Sequence, residues 1–434
     1  MATTKPIRIK TAVSNFEREP LKRPFGFKGN YMSEKWQTAV FLETESGHQG
    51  LGLCSPSVLW SDASVFTSRS EGAGNALLYS ILDYAVQQVQ GMTFSHPIEL
   101  LQTILSPAYE YGKKITENPQ LRETFVLMAL VALDNAAWLV YAKEHGMQTF
   151  DEMIPQEYKK GLAHHHSQVA SIPLFSYTVP IDEIIDTVNQ GYFFLKIKIG
   201  QPGTQQEMLE KDQARLQQIH RAIGHIETPH TANNKLIYYL DANGRYESKD
   251  SVMKLLDHAQ KIGARDQIIM IEEPLPEHQH TDISDMGVKI IADESAHTDR
   301  SAQERIDMGY HGFAIKAAAK TLSMSLKIID LAHKHRLDCF CADSTANPIL
   351  VEWNKNVAAR LKPIPGLDMG LVETNGRQNY AHWDEMKTYH PMPDANWVKA
   401  NKGVFDLDES FYRNSGGIFK PSPHYLELFK SYLK

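Results

Sequence analysis

From about residue 170 the chain settles into short apolar runs separated by helical stretches. The runs fall at 172–176, 193–199, 236–241, 267–272, 288–293, 312–316, 337–341 and 366–369. Strands that alternate with helices bury both faces of their sheet only when the sheet is parallel and the helices cross over it. Eight such units predict a closed α/β barrel across residues 170–385. Residues 1–150 read as a small α+β unit. Its strands are expected at 7–13, 38–44 and 50–53 and its helices at 77–89, 97–105 and 123–143, with Gly146 as a stop. The segment 386–434 breaks the βα rhythm with Pro391, Pro393, Pro421 and Pro423 and is expected to return onto the first unit.

Charge and cysteine content narrow the class. Lys and Arg total 45 against 52 Asp and Glu, a net charge of −7 without a dense basic run, which excludes a nucleic-acid footprint. Three cysteines, Cys54, Cys339 and Cys341, suit a reducing compartment, and the charged N-terminal stretch lacks the apolar centre of a secretory signal, so a cytoplasmic location is expected. The apolar run 125–142 is long enough for a membrane span but carries Asp134 and Asn135 at its centre, so a buried helix and no membrane partner are predicted. His164, His165 and His166 read as a solvated linker, since three adjacent side chains cannot all converge on one ion.

The ends of the predicted strands carry the chemistry. In 193–199, Leu195, Ile197 and Ile199 alternate with Lys196 and Lys198, so packing the apolar set on helices turns both lysines into the barrel. Two ammonium groups there are costly unless anions face them. The next three strands end in Asp241, Glu272 and Asp293, and the sixth ends in Lys316 with Gly312 and Ala314 on the same face. Carboxylates at the carboxyl ends of adjacent barrel strands converge, and an all-oxygen set selects Mg²⁺, with Mn²⁺ as a substitute. This arrangement suits removal of a proton α to a carboxylate. The cation would stabilise the developing charge, and Lys196 together with the cation would lower the pKa of Lys198 toward that of a base.

The motifs Lys196-Ile197-Lys198, Asp241-Ala242-Asn243, Glu272-Glu273-Pro274, Asp293-Glu294-Ser295 and Ile315-Lys316 resemble, in order and spacing, those of the muconate-lactonizing-enzyme subgroup of the enolase superfamily. The resemblance spans nearly the whole chain. It implies a modified TIM barrel of (β/α)7β type with an α+β capping domain formed by the N-terminal region and the C-terminal tail. It also implies Asp241, Glu272 and Asp293 as Mg²⁺ ligands, Lys198 and Lys316 as an acid/base pair, Asn243 and Lys196 in support, and a homo-oligomer. The stretch Ala132–Trp138 is similar to the family's cap helix, and Phe25 and Phe27 fall where the family keeps a specificity loop.

Subgroup members include dipeptide epimerases, N-acylamino-acid racemases, o-succinylbenzoate synthases and cycloisomerases. Lysines on both faces favour racemisation or epimerisation of an amino-acid derivative or dipeptide. A syn-dehydratase or cycloisomerase and a non-catalytic metal-binding barrel are the alternatives. Dipeptide epimerases carry an Asp-x-Asp pair on the eighth strand, whereas here Asp368-Met369-Gly370 lacks the second aspartate. Asp368, Asp343 and Tyr177, with Phe25 and Phe27, are the candidate contacts to a small-molecule carboxylate substrate. Cys339 and Cys341 are expected to face inward as small core fillers.

Overall fold

The computed structural model describes residues 5–432, so Met1 to Thr4 of the N-terminal stretch read for a leader lie outside it. A hairpin of β1 (Ile7–Phe27) and β2 (Asn30–Thr44) turns at Lys28 and Gly29, both at positive φ. Both strands run well beyond the expected 7–13 and 38–44. Their outer halves lack apolar alternation and are held by cross-strand pairs such as stacked Phe16 and Trp36, with centroids 4.1 Å apart, and by Arg18 on Glu34. β3 (Gln49–Cys54) and β4 (Thr93–Phe94) complete an antiparallel sheet in the order β3-β2-β1-β4.

Helices Glu71–Val89, Pro97–Thr116 and Glu123–Glu144 accompany this sheet. The second continues through Pro107 past its expected end, because Leu101, Ile104, Ala108 and Gly112 bury its packing face. In the third, every residue from Thr124 to Ala142 is buried, so the one helix among the described residues that is long and apolar enough for a membrane span lies inside the protein. β3 approaches this helix backbone to backbone, and a Cβ on Gly52 would stand 1.9 Å from the Ala132 carbonyl oxygen.

The second sheet is parallel and closes on itself. Pro173, with no N–H to give, divides its first strand into β5 (Gln168–Ile172) and β6 (Leu174–Phe175). β6 pairs with β7 (Phe194–Lys198), followed in order by β8 (Ile237–Asp241), β9 (Ile268–Glu272), β10 (Lys289–Ala292), β11 (Gly312–Ile315), β12 (Asp338–Cys341) and β13 (Gly370–Glu373). β13 pairs back onto β5, and the broken strand thereby joins the two ends of an eight-stranded barrel. Helices follow most strands. The β9–β10 connection, carrying Pro274 and Pro276, crosses as a loop, and β13 is followed only by short turns such as Gly376–Asn379 and Trp383–Met386.

β14 (Val404–Asp406) pairs antiparallel with β5, and the tail then reaches the first sheet. There His424 meets Glu17 at 2.9 Å, and Asn15 donates to the Leu428 carbonyl at 2.9 Å. The two parts also meet at Trp138, whose Nε1 donates to Ser323 Oγ at 3.0 Å.

Candidate active site

Parallel pairing sets Lys198, Asp241 and Glu272 side by side across β7, β8 and β9. Asp293 and Lys316 sit immediately beyond β10 and β11, so the strand-end residues singled out in the sequence share one mouth of the barrel. All of them are buried.

Lys196 lies deepest. Its Nζ is 2.8 Å from Glu272 Oε2 and 3.0 Å from both Asp241 Oδ2 and Glu373 Oε2. Burial alone would depress this lysine, but the surrounding carboxylates outweigh burial and hold it well above its ordinary pKa, so it remains a fixed cation. Lys198 donates to Asp241 and, at 2.6 Å, to Asn243 Oδ1, and Asn243 Nδ2 in turn donates to Glu294 Oε1 at 3.2 Å. Lys316 donates to Asp293. Burial pulls Lys316 down, yet Asp293 and Glu272 raise it on balance. Asp241 is held low, at about 2, because its two lysines overcome burial, whereas burial dominates at Glu272 and pushes it up to about 7.

The carboxylates that converge most closely are Glu272, Asp293 and Glu294, each with an oxygen within 4.8 Å of the others. Asp241 is turned toward Lys196 and Lys198 instead. Glu272 Oε1 and Glu294 Oε2 are buried without a hydrogen-bond partner, and Asp293 Oδ1 has Lys320 Nζ 3.3 Å away. Three buried carboxylates gathered this closely, two of them with an unsatisfied oxygen, fit a hard divalent cation. Glu273 takes no part in this cluster. Its Oε1 accepts from Asp293 N–H at 2.6 Å and from Ser295 N–H and Oγ at 2.9 and 2.7 Å, which fixes the loop after β10.

Two aromatic side chains from the first sheet region cover the lysines. The Phe27 ring lies 5.4 Å from Lys198 Nζ, and the Trp60 ring lies 4.5 Å from Lys316 Nζ. Trp60 Nε1 also donates to Asp293 Oδ2 at 3.0 Å. Lys28, at the hairpin turn, binds the Trp60 carbonyl at 2.9 Å and Glu294 Oε1 at 3.0 Å, anchoring this cover to the barrel. Phe25 packs behind Phe27, 5.5 Å away.

Other expected contacts fall elsewhere. The Tyr177 hydroxyl donates to the Ile199 and Gly200 carbonyls at 3.3 and 3.0 Å and braces the loop after β7. Asp343 accepts the backbone N–H groups of Ser344, Ala346 and Asn375 at 2.7, 2.8 and 3.0 Å. Its carboxylate therefore ties the loops after β12 and β13 together. Asp368 is exposed ahead of β13, at the opposite end of the barrel, because the eighth strand is Gly370–Glu373 and not 366–369. Phe340 faces inward onto Tyr239, 5.3 Å away, so alternation turns Cys339 and Cys341 outward to the helices. His165 meets Asp151 at 3.2 Å, and His166 meets the Leu361 carbonyl at 2.8 Å.

Sequence reasoning missed Glu373, Trp60 and Glu294's part in the cluster. Glu373 ends an apolar run, Gly370-Leu371-Val372-Glu373, in the same manner as Asp241 and Glu272 end theirs, and that signal lies in the sequence. Trp60 carries none, since it reaches the barrel only through the packing of the two parts.

No family model and no curated sequence matches the chain. Solved structures do. A mandelate racemase/muconate lactonizing protein from Herpetosiphon aurantiacus superposes with a TM-score of 0.64 at 15% identity, covering 94% of this chain and 97% of that one. A dipeptide epimerase from Enterococcus faecalis V583, complexed with Mg and L-Leu-L-Tyr, gives 0.59 at 19% identity over 86% and 99%. The L-Ala-D/L-Glu epimerase from Bacillus subtilis gives 0.60 at 16% over 92% and 96%. At such identities the likeness is one of fold, which the chain shares with these mandelate racemase/muconate lactonizing and dipeptide epimerase structures.

Proposed function

We propose that the protein is a Mg²⁺-dependent racemase or epimerase that removes and returns the proton α to a carboxylate in an amino-acid derivative or dipeptide. The observation that carries this reading is the cluster of three buried carboxylates, two of them with an oxygen left without a partner, in the same barrel mouth as two buried lysines at the ends of the second and sixth strands of the ring. Asp241, Glu272 and Asp293 are the proposed cation ligands, Glu294 adds an oxygen beside them, and Mn²⁺ is the expected substitute. The ion, when bound, supplies positive charge against the negative charge that grows on the substrate carboxylate as the α proton leaves.

The chain's own groups do the rest. Lys198 Nζ takes the proton from one face of the α carbon while Lys316 Nζ delivers one to the other, and their roles reverse for the opposite enantiomer. Lys196, a permanent cation, holds Asp241, Glu272 and Glu373 in place. Asn243 orients Lys198 through its Oδ1, and Phe27 and Trp60 exclude water from the two ammonium groups. Dipeptide-complexed structures of this fold support the substrate class.

The same reading divides the chain into a capping unit (1–150), a catalytic barrel (170–385) and a returning tail (386–434). It places the protein in the cytoplasm as a homo-oligomer, and the three buried free thiols are consistent with that compartment.

Incubation with Mg²⁺ in D₂O and a mixture of dipeptides, N-acylamino acids and hydroxy acids tests it by mass spectrometry. Uptake of one deuterium without change of constitution is expected. Loss of water or ring closure in any member would replace it with the syn-dehydratase or cycloisomerase reading. Failure to bind Mg²⁺ would leave a non-catalytic barrel.

A further inference from the structure

A second cavity, of about 620 Å³, opens on the outside of the barrel, away from the lysines and carboxylates. Its place follows from the topology. β13 is followed by short helical turns and not by a barrel helix, so the space outside β13 and β5, between helices Ile181–Asn189 and Pro348–Ala358, is bordered by residues 377–387, by the tail and by Lys22 of β1. Ser171 and Thr374 look into it from the strands, joined to each other by their hydroxyls at 2.5 Å.

The floor is apolar, formed by Pro173, Pro348, Val351 and Phe405, with Trp383 along one wall. The rim is cationic. Lys22, Arg377, Lys387 and Lys399 face it against Asp384 and Glu385, an excess of two positive charges in a chain whose net charge is −7. Lys387 is paired with Asp384. Arg377 is not in an ion pair among the described residues. Its guanidinium is held by the neutral Tyr192 hydroxyl and Gln190 Oε1 at 3.3 and 3.2 Å, both of which also line the space. A positioned guanidinium without a counter-ion, above an apolar floor, matches a ligand with an anionic head and an apolar body.

We propose that this cavity is a second ligand site, distinct from the reaction site, for a small amphipathic anion: a carboxylate, sulfonate or phosphate on an aromatic or aliphatic body. It does not depend on the reaction assigned to the barrel mouth. The anionic head sits on Arg377 and Lys399 and the body lies against Val351, Phe405 and Trp383.

The test is a fluorescence titration of the full chain with 8-anilinonaphthalene-1-sulfonate, an aromatic anion, alongside its uncharged analogue N-phenyl-1-naphthylamine. One sulfonate per chain is expected to bind, and more tightly than the amine. The double variant Arg377→Gln/Lys399→Gln should weaken the sulfonate about tenfold, the scale of one charge-assisted hydrogen bond. Ala381→Trp, at an exposed position on the rim, should abolish binding by filling the mouth. No binding, equal affinity for the uncharged analogue, or an unchanged dissociation constant in both variants would each overturn the proposal.

Discussion

The helix Glu123–Glu144 and the barrel interior are both fully buried, yet they treat charge in opposite ways. The helix carries one carboxylate in its buried run, Asp134, which burial pushes up to about 7, and it accepts from the Ser323 backbone at 3.1 Å and from the Ser323 hydroxyl. Neutralisation is its route to burial. In the barrel, Lys196 is driven further into its charged state by Asp241, Glu272 and Glu373, and Asp293 is held well below the ordinary carboxylate range by Lys316 and Lys320 despite burial. Those charges are kept, although Glu272 beside them is pushed up to about 7 by burial as Asp134 is. A buried ion network rarely stabilises a fold more than apolar residues of the same volume would, so its retention marks the part of the molecule that works and not the part that holds it together.

The largest expected effect breaks the barrel side of this contrast. Lys198→Ala and Lys316→Ala should each reduce turnover by about 10³-fold, the range of a lost acid/base group. Each should also abolish deuterium uptake from one enantiomer only. Equal loss of both enantiomers in both variants would remove the two-sided mechanism. Next comes Lys196→Met, which leaves three buried carboxylates without their shared ammonium and should cost about 3–5 kcal/mol in urea unfolding. Asp134→Asn, which makes permanent a neutral state the site already approaches at neutral pH, should cost about 1 kcal/mol. Similar losses in the two variants would mean that the regions do not differ as described.

The same contrast explains what is legible in the sequence. Strand-end charges stand out because a Lys or Asp closing an apolar run violates the pattern around it. That violation alone is enough to place Lys198, Asp241, Glu272, Asp293 and Lys316 at the mouth. Glu373 obeys the same rule but is masked by the Gly-Leu-Asp-Met stretch 366–369, which reads as the eighth strand and is loop. The outer half of β1 is unreadable for another reason. Its residues Ser14 to Arg23 face solvent or partners on both sides, and its strand conformation comes from pairing with β2, which a single segment does not encode. Trp60 and Lys28 reach the site through the docking of the two parts, so no local period announces them.

On the sheet side, a smaller effect isolates a neutral buried group. His96 Nδ1 accepts from Ile98 N–H at 3.2 Å at the start of Pro97–Thr116, and its ring lies edge-on to Trp138, 4.9 Å away. Burial lowers its pKa from 6.5 to about 4. With the folded value depressed, the unfolded chain takes up protons first. Stability is fully present above pH 6.5 and is lost as pH falls toward 4, by about 3 kcal/mol at most. Asp134 runs the other way, since its raised folded pKa favours the fold below 3.8 and loses that contribution as pH rises through about 7. The measurement is thus a difference. Urea midpoints of the wild type and of His96→Asn, which keeps the helix cap, should converge as the pH falls from about 7 to about 4. Parallel curves would show that His96 is not held neutral.

Ligand linkage sharpens the contrast further. An ion that binds the folded chain alone stabilises it by about 2.7 kcal/mol at a concentration a hundredfold above its dissociation constant. Mg²⁺ should therefore raise the melting temperature of the wild type, and chelation should reverse the rise. Asp134→Asn should keep the whole shift, because its carboxylate belongs to the region that buries charge by neutralising it. Asp293→Asn should lose it, because Asp293 supplies one of the oxygens of the carboxylate cluster. A chain that melts at the same temperature with and without Mg²⁺ would return those oxygens to the fold as unexplained strain, and the barrel mouth would then differ from the helix core in degree and not in kind.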